Sequence, residues 1–433
     1  MLSIDVSRIP PFVNTATKKS GDQTYIVRTL DSDFISNQDI SNRIYRSMIS
    51  DENDNVISIA PPKSLPNDDF LKANFSNFSG KIISDSIKAE EIIEGTMINL
   101  FYVKSIGKWE IATKKSVGGN YHFFRNQYFP DLVEEQKTFL QMFLDGFNNP
   151  GKTLDECIRA IPGFDESFCY SFVLQHPANH IVVPVVKPAI YLVHMCHVMS
   201  DHDGKPAYKY VDPDRELFKD TCVQFPRRYN ISSEIIDRSF DSTLENVNII
   251  FSGEKYYEEL FENVKKTIEN PLNSHMIPGI MVTQLETGFR TSFINAKYAE
   301  VKILRGNNPN LHYQYLVLRK INKVAAFERY FPQYKTYFDR FETHFMAFAT
   351  RIHQLYINVH VLKITTLAEL TDKKDKYHVE KLHYERYLPM VKASKDASVL
   401  KELKPKITRK IVIEYLDSEN VMVPLGTYAS VIS

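Results

Sequence analysis

The sequence predicts an α+β protein, with an antiparallel-sheet domain over residues 1–308 and an all-helical domain over 309–433. Three observations carry that division. In the first part, short apolar runs recur between turns rich in Asp, Asn and Gly, the pattern of strands and hairpins. From about residue 311 the apolar period becomes helical and stays so, beginning with Tyr315, Leu316, Ile321 and Val324. Within that stretch Phe338, Phe341, Phe345, Phe348, Ile352 and Tyr356 recur three or four residues apart. That spacing reads as the core stripe of a helix bundle rather than as a base-stacking surface. The turn Arg305-Gly306-Asn307-Asn308-Pro309 is read as the hinge between the two domains.

The elements follow in order. Residues 1–75 are expected as small strands and hairpins, with Val56–Ile59 following the polar turn Asp51-Glu52-Asn53-Asp54-Asn55 and Pro61-Pro62 ending the run. Residues 80–125 read as a meander: Met97–Val103 pairs with Trp109–Thr113 across the turn Ser105–Lys108, and Gly118-Gly119 closes it. Over 132–163 the spacing turns helical, through Leu132, Phe139, Leu140, Phe143 and Leu144, and Thr153-Leu154-Asp155-Glu156 fits a capping box. Strands return at Cys169–Leu174, Ile181–Val183 and Ala189–Met195. A helix is expected at about 254–269 and further strands at about 279–303.

Composition narrows the class. Fifty-three Lys and Arg balance 53 Asp and Glu, which argues against a wholly basic nucleic-acid coat but leaves room for a local patch. The balance hides polarity: residues 371–410 hold 12 Lys and Arg against 6 Asp and Glu, and residues 1–70 hold 7 against 10. Cys157, Cys169, Cys196 and Cys222 contain no CxxC pair, so neither a zinc ribbon nor a thioredoxin motif is present, and so few cysteines fit a reducing compartment. The N-terminus lacks the layout of a signal peptide, and the most apolar run, Ile181–Val198, is interrupted by Pro184, Lys187 and Pro188. The expectation is a soluble intracellular protein with no membrane partner. His194, Cys196, His197 and His202 with Asp201 and Asp203 form a His/Cys/Asp cluster, read as a strand and loop accident rather than a metal site.

Five segments, taken together and in order, carry a resemblance. They are Tyr45-Arg46-Ser47 with Pro62-Lys63-Ser64, then Glu94-Gly95-Thr96-Met97-Ile98, then Trp109–Gly118, then Phe172–Val182, then Ile294-Asn295-Ala296-Lys297-Tyr298 with Leu304-Arg305-Gly306-Asn307. The set resembles the bacteriophage RNA-ligase type of ATP-dependent nucleotidyltransferase, and more closely the RNA-ligase-like proteins of nucleo-cytoplasmic large DNA viruses. The resemblance covers about residues 40–305; the helical remainder, with Tyr377–His383 and Arg409–Tyr415, also resembles those viral proteins. It implies a nucleotidyltransferase-like sheet domain. It also implies the chemistry of the family: a Lys two positions before an acidic-Gly pair attacks the α-phosphate of ATP, a Glu contacts the ribose, a carboxylate before a Gly organises the metal, and a Lys pair neutralises the triphosphate.

Each of those positions departs here. The nucleophile position is Ile92, the ribose position Val173, the metal-organising position Pro278, and the Lys pair Ser292 and Ile294. Isoleucine cannot form a phosphoramidate, and valine cannot hydrogen-bond a ribose. The resemblance still implies nucleotide- or RNA-binding roles for Arg46, Lys63, Glu94, Gly95, Lys114, Lys115, Asn179, His180 and Lys297, with Arg125 beside the phosphate cleft. The expectation is therefore a degenerate RNA-ligase-like protein of a large DNA virus, catalytically inactive, that holds RNA ends or a nucleotide or serves as a structural, virion or complex component. Two alternatives stay open. One is an active RNA ligase joining 5′-phosphate to 3′-hydroxyl, using ATP and magnesium, with Lys88, Lys114 or Lys115 as a displaced nucleophile. The other is a cap- or nucleotide-transfer enzyme on the same fold. The implied setting is the host cytoplasm, in a viral factory, or the virion, with RNA, a nucleotide or other viral proteins as partners.

Overall fold

The structure is a computed structural model that describes residues 2–4, 6, 9–30, 40–70, 87–122, 137–229, 231–232, 249–250, 265, 274–308, 310–396 and 405–419. The fold is α+β: antiparallel sheets fill the N-terminal part, and helices are concentrated in the C-terminal part. The chain divides into two compact units; among the described residues one runs to Lys302 and the other from Ile303.

Along the first unit the strands are β1 (Leu2–Ser3), β2 (Val13–Ser20), β3 (Gln23–Leu30), β4 (Met48–Ser50), β5 (Val56–Ile59), β6 (Ile87–Glu91), β7 (Thr96–Val103), β8 (Lys108–Ala112), β9 (Phe168–Gln175), β10 (Ala189–Ser200), β11 (Pro206–Val211), β12 (Val223–Gln224), β13 (Arg228–Tyr229), β14 (Ile231–Ser232), β15 (Ile249–Ile250), β16 (Gly279–Gln284) and β17 (Arg290–Ile294). The largest sheet runs β1-β11-β10-β9-β7-β8, with β12 added in parallel to β10. A second sheet runs β13-β6-β16-β17, a third β2-β3-β4-β5, and β14 pairs with β15.

The large sheet is covered on both faces, so its strands read as continuous apolar runs. On β7 the alternation of side chains sends Ile98 and Leu100 to one core and Phe101 and Val103 to the other. The first core is completed by α1 (Phe139–Asp145) and α2 (Leu154–Arg159), through Phe139, Phe143, Cys157 and Ile158 packed near Phe172 and Leu174. Thr138 and Thr153 each close a capping box at the start of these helices, with Gln141 and Glu156 as partners. The second core joins Phe101, Cys196 and Tyr208 to Val27, Ile49 and Ile59 of the third sheet.

Three expectations are corrected. Ile181–Val183 is not a strand but a bend ahead of Pro184, because the Val182 and Val183 N–H groups are taken by the Glu94 carboxylate rather than by a neighbouring strand. The strands expected to 303 stop at Ile294, where Asn295 Oδ1 accepts from the Lys297 N–H and opens α3 (Ala296–Arg305). Ile321 is exposed, because it caps the end of a helix rather than joining its buried face. The helix expected at about 254–269, Leu132 and Arg125 lie outside the described residues, apart from Lys265.

After α3 the second unit continues as α4 (Leu311–Lys320), α5 (Val324–Tyr330), α6 (Lys335–Tyr356), α7 (Lys373–Leu382), α8 (Leu388–Asp396) and α9 (Arg409–Ser418). The stripe Phe338, Phe341, Phe345, Phe348, Ile352 and Tyr356 is wholly buried on α6. Phe327 stacks on Phe338 with centroids 4.6 Å apart, and His312 stacks on Phe341 at 4.4 Å. Arg319 lies 3.9 Å above the Phe345 ring and pairs with Glu342 and Asp417. Among the described residues no helix is long and apolar enough to cross a membrane.

Candidate functional site

The first unit holds a cavity of about 490 Å³, within the usual range of small-molecule sites. Its lining comes from stretches far apart in sequence. Apolar side chains come from Ile92, Ile93, Met97, Val173, Val193 and Met281. Cations come from Arg46 at the end of a 3₁₀ turn, Lys63 beyond β5, Lys114 beyond β8, and Arg290 at the start of β17, and carboxylates from Glu90 and Glu91.

Two local devices shape it. On β10 the pairing with β9 slips between Leu192 and His194, so that Val193 is an extra residue, and both Val193 and His194 then reach the cavity. At the starts of β7 and β16, Gly95 and Gly279 let backbones meet. A Cβ on Gly95 would lie 2.3 Å from the Leu174 carbonyl oxygen, and one on Gly279 2.0 Å from that of Phe293.

The sequence-predicted residues separate into two groups. Arg46, Lys63, Gly95 and Lys114 come together on the cavity, with Ile92 and Val173 beside them. The others lie outside its lining. Glu94 is buried, and its Oε2 accepts from the Val182 and Val183 N–H groups at 2.9 and 2.6 Å. Asn179 donates through Nδ2 to Thr96 Oγ1 at 2.7 Å, and His180 Nε2 meets the Val182 carbonyl at 2.9 Å. Lys115 and Lys297 are exposed. Lys88, a fallback nucleophile, is buried, with Nζ 3.0 Å from Glu90 Oε2 and 2.8 Å from Asp212 Oδ1. Its Nζ is taken up by these two carboxylates, and Lys88 is not among the residues that line the cavity.

That ion network also fixes the rim. Glu90 Oε1 accepts from Arg215 at 2.8 Å and from Arg228 at 3.2 Å, and Arg228 reaches Asp212 at 3.1 Å. Burial pushes Asp212 up, but Lys88 and Arg228 outweigh it and hold the carboxyl below its ordinary range. Glu91 Oε1 accepts from the Arg227 N–H at 2.9 Å.

Among the described residues Arg290 and Arg46 have no carboxylate partner. Arg290 is 7% exposed and donates through Nε to the Pro62 carbonyl at 3.0 Å. Burial, and then the charge of Arg46, draw it down to about 9. Burial lowers Arg46 as well. Burial also pushes His194 well below its ordinary value, helped by Arg290, Lys88 and Arg46, so the ring is neutral. His194 Nε2 lies 2.9 Å from the Tyr208 hydroxyl. The rest of the His/Cys/Asp cluster disperses. Cys196 Sγ points to the Ile59 carbonyl, His197 lies against Phe168, and Asp201 closes a turn by accepting from the Asp203 and Lys205 N–H groups. Among the described residues no group of three or more His, Cys, Asp or Glu could hold a metal ion.

Sequence reasoning missed Arg290 as a site residue and saw His194 only as part of the metal cluster. A signal for Arg290 existed. Strand alternation puts Arg290, Ser292 and Ile294 on one face of β17, two residues apart, so a cation stands one step along from the two positions that the resemblance assigns to a lysine pair.

No family model matches the chain. Over 179 residues, 41% of its length, it is 25% identical to an RNA ligase of Rhodothermus phage RM378. The match spans 36% of that phage protein. Among solved structures it is similar to an archaeal ATP-dependent RNA ligase, with 10% identity, 94% and 92% of the two chains covered and a TM-score of 0.35. A putative ATP-dependent DNA ligase from Aquifex aeolicus gives 11% identity, 89% and 85% coverage and a TM-score of 0.32. A mutant of the Naegleria gruberi RNA ligase with AMP and Mn gives 11% identity, 69% and 96% coverage and a TM-score of 0.30. Over its 179 matched residues the chain is distantly similar to the phage RNA ligase.

Proposed function

We propose that the first unit is an RNA-ligase-like nucleotidyltransferase scaffold that binds a nucleotide or a 5′-phosphorylated RNA end reversibly, without forming a lysyl-nucleotide. The observation that carries this is the cavity wall at Ile92. The position where the family attacks ATP is a hydrocarbon side chain, and the neighbouring Lys88 is tied between Glu90 and Asp212. The cavity keeps what binding needs: apolar side chains for a base and cationic side chains for phosphates. In this reading the protein serves a large DNA virus, in the host cytoplasm or the virion, and the helical unit is a separate domain.

A second reading is favoured by Lys114, which lines the same cavity and is exposed. There the protein is an active ATP-dependent RNA ligase with a displaced nucleophile. Labelled ATP or GTP with magnesium separates the two. The expected result is reversible binding and no label that survives denaturation. A denaturation-stable adduct overturns the first reading, and its loss in Lys114→Ala assigns the nucleophile.

A further inference from the structure

The chemistry of the resemblance calls for a divalent cation on the nucleotide, and the cavity is poorly furnished for one. A hard cation needs carboxylate oxygens free to turn toward it. Of the two carboxylates in the lining, Glu90 is held by Lys88, Arg215 and Arg228, and Glu91 gives Oε1 to the Arg227 N–H. The position where the family keeps its metal-organising carboxylate is Pro278.

What the lining offers instead is positive charge. Arg290 is almost wholly buried, its Nε is fixed by the Pro62 carbonyl, and it lines the same cavity as Arg46, whose charge acts on it. Among the described residues no carboxylate pairs with either guanidinium. A buried cation without a counter-charge is costly, and a second cation on the same cavity adds to that cost. An anion between them removes that cost. The guanidinium fork matches a phosphate bidentately and carries its charge at neutral pH. The cavity is large enough for more than a single phosphate, and Lys63 and Lys114 add to its cationic lining.

We propose that Arg290 and Arg46 form a guanidinium clamp that binds a phosphate chain directly, so that the cavity takes pyrophosphate or a nucleoside triphosphate tail with no divalent cation. This rests on the reading that the cavity is a nucleotide or 5′-phosphate site. Arg290 is the new element. It supplies from one step along β17 the charge that Ser292 and Ile294 lack.

Calorimetric titration of the full chain with sodium pyrophosphate, ATP and a 5′-phosphorylated oligoribonucleotide tests it, each in EDTA and in magnesium. Pyrophosphate and ATP are expected to bind in EDTA within about threefold of their affinity in magnesium, and Arg290→Gln to weaken both by about tenfold or more. Arg46→Gln keeps the proposal testable if the buried variant fails to fold. It is expected to weaken pyrophosphate similarly while raising the melting temperature of the ligand-free protein, since it removes a like charge from the cavity. A merely structural arginine would lower that temperature. Binding that requires magnesium, or Arg variants that bind as the parent does, overturn the clamp and leave the nucleotide reading standing. Pyrophosphate binding without ATP or RNA binding overturns the nucleotide reading and leaves the clamp. No binding of any of the three overturns both.

Discussion

Glu94 shows how a side chain can persist at a site for reasons other than chemistry. Its Oε2 accepts two backbone N–H groups, from Val182 and Val183, and its own carbonyl accepts from Gln175 Nε2 at 2.9 Å. These bonds tie the start of β7 to the bend that follows β9. Burial, reinforced by this carboxylate, also raises the Tyr298 phenol. Next to it, Gly95 has no room for a Cβ. The pair is kept by backbone accounting, independently of whether Ile92 could react. Glu94→Ala strands two N–H groups and is expected to destabilise the first unit by about 2–4 kcal/mol, with Glu94→Gln keeping part of that. Thermal unfolding with and without ATP checks it. An alanine variant as stable as the parent would show that the bend holds itself.

At the scale of elements, α6 is the part whose fate is simplest to forecast. Phe345 is buried on the inner stripe and carries the Arg319 guanidinium on its face, which in turn holds Glu342 and Asp417. Phe345→Ala removes the ring and the seat of that guanidinium, for an expected loss of about 3–5 kcal/mol in urea unfolding, whereas Phe345→Leu loses less. The stripe was legible in the sequence because helical periodicity is a local signal. So were both capping boxes, whose partners lie three residues apart. The bend at Ile181–Val183 was not. A β-branched run reads as a strand unless one knows that a carboxylate 88 and 89 residues away takes its N–H groups. The start of α3 was missed for a related reason, since Asn295 is a cap only once β17 has delivered it to the end of a strand. The cavity was half legible. Arg46, Lys63, Gly95 and Lys114 sit in the segments that carry the resemblance, but Arg290 and His194 reach the wall through strand pairing and a bulge, which no local pattern announces.

For the molecule as a whole, the zero net charge says little, because charge is sorted by place. The cationic side chains of the cavity, the ion network under its rim and the Arg319 cluster lie in different parts of the chain. The same holds for protons. His312 is 1% exposed and stacked on Phe341, and burial, with His344 nearby, brings it down to about 4. His378 is fully buried, with Nδ1 2.9 Å from the Tyr415 hydroxyl, and burial outweighs the pull of Glu419 to bring it to about 4. Both rings are neutral in the folded helical unit and titrate near 6.5 when unfolded. Below that unfolded value the unfolded chain binds protons that the fold refuses. Stability is therefore present above about pH 6.5 and falls as the pH drops toward 4. Going from pH 7 to 5.5, which stays above the ordinary carboxylate range, the pair is expected to cost the helical unit about 2.5 kcal/mol. Protection of α6 amides from hydrogen exchange, corrected for intrinsic rates, measures it. His312→Phe keeps the stacked ring and removes one titration, so it should roughly halve the loss. An equal loss in that variant would mean that the acid sensitivity lies elsewhere, and no loss in the parent would mean that these rings are not held neutral.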